Sequence, residues 1–358
     1  MKIDDKTSHN SPSLRFPEFT GEWEKCKIED ITDAVSSGKS KNHFSNGEYN
    51  LYGSTGIIGR TDKALYDGKL VLVARVGANA GFLQIINEPC GITDNTLILK
   101  PKGIDAFYLY YFLQHFNLNR LIFGSGQPLI TGGMLKKVKV SLGTISEQSK
   151  IVKFLSLLDE RIAVQSRLIE DLKKLRCAVS NKLFQSVKGV AIPLSGISNI
   201  VKGKQINGDF LADVGEYYVM NGGTEPSGYY DNYNVEANTI SISEGGNSCG
   251  YVQFNRMPFW SGGHCYTIQD IVSDVETLYL YHYLKSKEDS IMKLRIGTGL
   301  PNIQKKDLAE FKVIIPAIEQ QRTISNILSL LERKNEIEGQ LLIAMRTEKQ
   351  NLLRQMFI

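Results

Sequence analysis

The sequence predicts an α+β protein: two mixed α/β modules separated by two long antiparallel coiled-coil helices, the whole chain forming a pseudo-twofold internal repeat. Three observations carry this. The stretch from Gly126 to Phe184 aligns without a gap on the stretch from Gly299 to Phe357, at a constant offset of about 173 residues. Ile130 matches Ile303, Leu135 matches Leu308, Val140 matches Val313, and Leu155-Ser156-Leu157-Leu158 matches Leu328-Ser329-Leu330-Leu331. The repeat continues upstream with a drifting offset, Gly77 to Phe82 answering to Gly246 to Tyr251 and Tyr108 to Leu113 answering to Tyr279 to Leu284. Within each copy, short β-type runs then give way to apolar steps of four and three. Each half is thus a divergent globular part followed by a better-matched helical tail, as for two modules doing parallel jobs on different targets.

Taken in order, residues 1–13 read as a loose tail, 14–143 as the first module, 144–189 as a central helix, 190–317 as the second module and 318–358 as a C-terminal helix. In the modules, Leu70 to Ala74, Thr96 to Leu99, Thr239 to Ser243 and Tyr266 to Ile268 are β-type runs between turn residues. The aromatic segments near Tyr108 and Tyr279 have helical spacing among leucines. They read as helices packed on a sheet rather than as a grip for bases.

In the first tail Ile151, Leu155, Leu158, Ile162, Gln165, Ile169, Leu172, Arg176, Val179 and Leu183 form a coiled-coil seam. Thr144 and Glu147 have the spacing of a capping box that would start this helix. The second tail repeats the seam as Ile324, Leu328, Leu331, Asn335, Glu338, Leu342, Met345, Lys349, Leu352 and Met356. Each helix would reach roughly 60 Å, the length of a spacer. Reflecting one seam on the other predicts Arg176 opposite Glu338 and Gln165 opposite Lys349, so that polar seam residues meet partners rather than leucines.

Composition excludes several classes. Hydrophobic residues are 42% and charged residues 22%, values of a folded globular chain. The cysteines Cys26, Cys90, Cys177, Cys249 and Cys265 are scattered and odd in number, which argues against a disulfide framework or zinc ribbon. Neither a membrane span nor a secretory signal is evident, so a cytoplasmic protein is expected. Net charge is +4, which permits a nucleic-acid partner. Residues 14–143 hold 15 basic and 12 acidic side chains, 144–189 hold 9 and 5, and 190–317 hold 10 and 14. The second module is net acidic.

Enzyme signatures are mostly absent. Gly245 to Gly250 has phosphate-loop spacing, but Tyr251 stands where lysine is needed, and no dinucleotide fingerprint opens a helix. The Asn/Asp-Pro-Pro-aromatic tetrapeptide of amino-methyltransferases is missing too. His264, Cys265 and Cys249 are the nearest thing to a metal or nucleophile cluster and read as structural, so neither catalytic residues nor a metal site are expected. What remains is a set of polar, glycine-rich loops present in both halves. Ser54, Thr55 and Arg60 correspond to Asn221, Thr224 and Tyr229; Arg75 and Asn79 to Asn247 and Ser248; Asn95 to His264; and Ser125 and Gln127 to Thr298 and Asn302. Such loops bring amides to phosphates and Arg, Asn or Gln side chains to base edges, although glycine and asparagine also simply make turns.

Leu14-Arg15-Phe16-Pro17 with Trp23, the Gly124-Ser125-Gly126-Gln127-Pro128 loop, and the helix starts Glu147-Gln148 and Glu319-Gln320-Gln321 resemble the specificity subunit of type I restriction-modification systems. The doubled layout extends this resemblance over nearly the whole chain. The second copy departs in having Leu300 where Gln127 stands. The resemblance implies a non-catalytic subunit with two target recognition domains, each reading half of a bipartite double-stranded DNA sequence; because the loops of the two halves differ in residue and charge, that sequence is expected to be asymmetric. It implies that the helices set the spacing between half-sites and dock two methyltransferase subunits, joined by motor-nuclease subunits, and that the methylated base is adenine. It also implies no cofactor in this chain, with S-adenosylmethionine, ATP and magnesium on the partner subunits. Two other readings remain open at this point: a coiled-coil scaffold for proteins, and a stand-alone DNA-modifying enzyme.

Overall fold

A computed structural model describes residues 10–41, 47–122, 128–297, 299 and 301–358. The chain divides into two compact units: Met1–Ser166 with Gln340–Ile358, and Arg167–Gly339.

Unit 1 contains β1 (Glu24–Lys27), β2 (Thr32–Ser37), β3 (Tyr49–Gly53), β4 (Gly56–Thr61), β5 (Lys69–Ala74), β6 (Leu83–Asn87), β7 (Cys90–Ile92), β8 (Thr96–Pro101), α1 (Ala106–Phe116), α2 (Gly132–Lys136), β9 (Lys139–Leu142) and the first half of α3 (Ile145–Ser186). Its sheets are ordered β1-β9, β2-β8-β5-β6 and β4-β3-β7. β5 buries Val71, Leu72 and Val73 completely, as a run apolar on both faces must. Helix α1 starts where the Asp105 carboxylate accepts from Phe107 N at 2.7 Å and stops at Asn117, whose φ of 57° is left-handed. Tyr108, Leu109, Tyr111 and Phe112 are buried, so the aromatic segment is core, as its spacing indicated.

Unit 2 repeats the plan with β10 (Val190–Pro193), β11 (Asn199–Lys202), β12 (Tyr217–Met220), β13 (Tyr229–Tyr230), β14 (Thr239–Ser243), β15 (Val252–Asn255), β16 (Trp260–Ser261), β17 (Cys265–Gln269), α4 (Thr277–Ser286), α5 (Glu288–Met292), α6 (Lys305–Ala309), β18 (Lys312–Ile315) and the first half of α7 (Ile318–Met356). The sheets are ordered β10-β18, β11-β17-β14-β15 and β13-β12-β16, strand for strand those of unit 1.

The long helices close each core by exchange. In unit 1 the core gathers Ile151 and Leu155 from the start of α3 with Leu353, Met356 and Phe357 from the end of α7. In unit 2 it gathers Ile324 and Leu328 from the start of α7 with Phe184 from the end of α3. The two helices therefore run antiparallel in each unit. Phe357 packs its ring against Trp23, Tyr108, Phe112 and His115, whereas Phe184 meets Tyr279 and Tyr283.

Several expectations are corrected. Residues 1–9 lie outside the described residues, but the rest of the expected loose tail is tied down: Trp23 N donates to Asn10 O at 2.8 Å and Ser13 Oγ to Gln355 O at 3.2 Å. Only half of the capping box forms. Glu147 N donates to Thr144 Oγ1, while the Glu147 carboxylate turns to a bidentate pair with Arg15 at 2.6 and 2.8 Å. The guanidinium offers a fully buried carboxylate two charged donors, which a single backbone amide cannot match. The seam expected Arg176 opposite Glu338 and Gln165 opposite Lys349. The ion pairs formed are Arg176–Glu332 at 3.1 Å in unit 2 and Lys349–Asp159 at 2.6 Å in unit 1. Tyrosines of the modules hold these acids in place, Tyr281 OH donating to Glu332 and Tyr111 OH to Asp159, and the cations follow them. Glu338 accepts from Lys334 at 2.8 Å.

Candidate functional site

The connection after β5 brings three residues of unit 1 together. Arg75 N donates to Asn95 O at 3.0 Å, Arg75 Nη1 reaches Asp94 O at 3.5 Å, and Ser54 Oγ donates to Asn95 O at 3.3 Å. Gln84 Nε2 pins the Ser54 turn through Gly53 O and Ser54 O. Arg75 Nε is buried with no hydrogen-bond partner. Thr55 is exposed in the turn between β3 and β4, and Arg60 lies along β4 with Nη1 on Glu48 O. Asn79 is not part of this cluster; it lines a recess with Gln114, Asn117 and Asn119.

In unit 2, Asn221, His264 and Asn302 line one cleft of about 600 Å³ whose rim includes Gly222, Gly223, Gly245 and Gly246. Asn221 Oδ1 accepts from His264 N at 3.1 Å, and Gly246 N donates to Pro301 O at 3.0 Å. Gly77 and Gly246 both take positive φ, 78° and 75°, so the two turns share one backbone shape. Asn247 is exposed on this turn, and Ser248 O accepts from Tyr251 N. Thr224 lines a different recess, with Arg176, Arg256 and Lys285, and Tyr229 is half-buried on β13 with its amide on Ala212 O. The candidates Ser125, Gln127 and Thr298 lie outside the described residues.

Sequence reading missed Lys202 and Glu244, which line the same cleft and form an ion pair at 2.6 Å. At the offset that relates Gly77 to Gly246, Arg75 answers to Glu244. Burial raises the Cys249 thiol and pushes Cys265 up to about 11, the opposite of an activated nucleophile. Among the described residues no group of three or more His, Cys, Asp or Glu is arranged to hold a metal ion, and no helix is long and apolar enough to cross a membrane.

The seam residues Leu158, Ile162, Ile169, Leu172, Arg176, Val179, Leu331, Glu338, Leu342, Met345 and Leu352 are all half-buried. Beside them lies an apolar groove in each unit. In unit 1 it measures about 790 Å³ and is lined by Phe154, Leu157, Leu158, Arg161, Val164 and Leu352 among others. In unit 2 it measures about 670 Å³, with Ile327, Leu330, Leu331, Lys334, Ile337 and Val179 in the corresponding places. Leu157 and Leu330 are 52% and 69% exposed there.

Two repeated α/β modules, each with a polar loop cluster and each closed by paired helices, define a protein built for recognition at two sites. The model of the type I restriction modification DNA specificity domain matches the chain twice, over residues 20–174 and 190–345. The chain belongs to that family: it is a type I restriction-modification specificity subunit with two DNA target recognition domains, non-catalytic in itself. A protein of Mycoplasma genitalium named as a type I specificity subunit is 25% identical over 359 residues, covering 94% of each chain. One from Mycoplasma pneumoniae is 31% identical over 166 residues, 46% of this chain and 44% of that one. The crystal structure of the type I restriction-modification S subunit from M. genitalium shares the fold, with a TM-score of 0.73 over 97% of this chain and 99% of that one at 23% identity.

Proposed function

We propose that the two modules, residues 14–143 and 190–317, each read one half of a bipartite, asymmetric DNA target through the loop clusters after β5 and β14. The helices at 144–189 and 318–358 dock two identical methyltransferase subunits and set the separation of the half-sites. The catalytic residues and S-adenosylmethionine belong to those subunits, which methylate adenine; ATP and magnesium belong to motor-nuclease subunits that join them in the cytoplasm. Within the described part of the clusters, Ser54, Arg75 and Asn95 in the first module and Asn221, His264 and Asn302 in the second are the base and phosphate contacts, with Asn79, Thr224 and Tyr229 set apart from them.

The observation that carries this reading is the repeated groove. Phe154, Leu157, Leu158, Arg161 and Val164 recur as Ile327, Leu330, Leu331, Lys334 and Ile337, so one partner surface finds two equivalent seats. Exposed apolar side chains gathered in a groove are the features of a protein docking surface. The test is stoichiometry. Leu157→Asp or Leu330→Asp alone is expected to leave a complex with one methyltransferase subunit, and the double variant none, as read by native mass spectrometry. Two subunits bound to the double variant would overturn the reading.

A further inference from the structure

The same backbone frame in the two modules carries opposite charges. In unit 1, Arg75 N donates to Asn95 O at 3.0 Å, Ile130 N to Arg75 O at 2.8 Å, and Gly77 N to Pro128 O at 3.0 Å. In unit 2, Glu244 N donates to His264 O at 2.9 Å, Ile303 N to Glu244 O at 2.9 Å, and Gly246 N to Pro301 O at 3.0 Å. Glu244 therefore occupies the seat of Arg75, bond for bond.

We infer that Glu244 is a base-reading residue of the second module, accepting a hydrogen bond from the exocyclic amino group of adenine or cytosine in the major groove. The inference rests on the proposed reading of the two loop clusters as the DNA-facing parts of the modules. Glu244 is only 8% exposed, yet it lines the cleft bordered by Asn221, His264 and Asn302. Its two oxygens are in different states. Oε1 accepts from Lys202 Nζ at 2.6 Å and from Tyr266 OH at 3.1 Å, whereas Oε2 is buried with no hydrogen-bond partner. His264 Nδ1 lies 3.9 Å from Oε2, beyond hydrogen-bond reach. A buried acceptor with no donor is rare in folded proteins, and a ligand donor entering the cleft would complete it.

The chemistry of that donor follows from the carboxylate. An ionised carboxylate only accepts, so it pairs with adenine N6 or cytosine N4 and is repelled by the O6 and N7 of guanine or the O4 of thymine. Lys202 neutralises the charge, which lets an acid sit beside a polyanion. The glycines at 222, 223, 245 and 246 leave the rim without side chains, so a base edge can come close. Arg75 in the same seat of the first module has the opposite preference, for the acceptor edge of guanine.

The test uses the chain assembled with its methyltransferase subunits and a duplex library that places each base at each position of the mapped target, with methylation read by sequencing. The wild-type complex is expected to require a single base pair at one position of the second half-site, A·T if the donor is adenine N6 and G·C if it is cytosine N4. Glu244→Gln, whose amide both donates and accepts, is expected to relax that position by about 10-fold and leave the first half-site unchanged. Selectivity kept at the other positions of the second half-site shows that the second module of the variant is folded. Lys202→Met is expected to slow methylation of all targets while keeping the preferred letter. Selectivity retained at every second half-site position by Glu244→Gln overturns the inference. Absence of any bipartite motif with the wild-type chain would instead sink the reading on which it rests.

Discussion

Where its aromatic helix meets α3, unit 1 sets Tyr111 OH on Asp159 at 2.9 Å and within 3.3 Å of Ser156 Oγ. At the corresponding place unit 2 uses two neighbours: Tyr281 OH bonds Glu332 at 2.8 Å, and His282 Nε2 meets Ser329 Oγ at 2.9 Å. Ser156 and Ser329, and Asp159 and Glu332, are equivalent under the repeat. The extra methylene of Glu332 suits a hydroxyl from one residue earlier, which leaves the next position to an imidazole. The function of the contact, fastening an acid of the long helix to the aromatic helix of the module, is kept while the side chain supplying it changes. Packing tolerates such an exchange only because the rings around it are retained.

The largest test of that frame is the pair of phenylalanines that end the long helices. Phe357 is 2% exposed and touches four rings, and Phe184 is 5% exposed and touches two. Truncating a buried phenylalanine costs about 3–5 kcal/mol through lost burial and the cavity left behind. Phe357→Ala is expected to destabilise unit 1 by about 4 kcal/mol and Phe184→Ala to destabilise unit 2 by about 3 kcal/mol. Hydrogen exchange resolved by unit measures both. Equal losses in both units from either variant would mean that the two cores unfold as one.

The next effect separates the units by pH. Burial, with Arg176 and Arg256 nearby, pushes His282 down to about 4. An unfolded histidine titrates near 6.5, so between those values the unfolded chain binds the extra proton and folding loses stability as pH falls. The contribution is complete above about 6.5 and declines toward pH 4, amounting to on the order of 3 kcal/mol at the acid end. His115 of unit 1 is also shifted down by burial, so both units weaken in acid and the comparison turns on slope. His282→Gln is expected to flatten the response of unit 2 alone, followed as urea midpoints from pH 7 to 4 by exchange protection. An unaltered slope would show that the imidazole is protonated in the folded protein.

Much of this was legible in the sequence because the repeat reports geometry directly. The offset that matched Leu155 with Leu328 also matched the helix starts, the groove residues and the two terminal phenylalanines, since each must fill the same space in each copy. The aromatic helix was readable from its period. What escaped was chemistry set by contacts remote in sequence. Apolar spacing cannot show that Tyr111 and Tyr281 hold acids just off the seam, so the reflected seam placed the cation partners six positions away. Glu147 matched a capping box locally, but Arg15 claims its carboxylate. Glu244 was hidden because charge inversion looks like loss of similarity, when a fixed backbone with an altered side chain is what a change of target requires.

The ion pairs of the two units give the smallest and sharpest contrast. Lys349, 15% exposed, is paired with Asp159 at 2.6 Å, with its ammonium 5.3 Å from the centre of the Tyr111 ring. Glu332 in unit 2 has two cations, Arg176 at 3.1 Å and Arg256 at 4.0 Å, and Arg256 also pairs with Glu336. Exposed pairs contribute about 0–1 kcal/mol, and breaking a buried one costs about 3–5 kcal/mol, so these half-buried pairs lie between. Among the described residues, removing Lys349 leaves Asp159 to Tyr111, whereas removing Arg176 leaves Arg256 beside Glu332. Lys349→Met is therefore expected to cost about 2 kcal/mol and Arg176→Met about 1 kcal/mol. Double-mutant cycles with Asp159→Asn and Glu332→Gln isolate the two coupling energies. Adding Arg256→Met to Arg176→Met should raise the loss in unit 2 to the level of unit 1; if it does not, the second cation is a bystander and the difference between the units lies in burial.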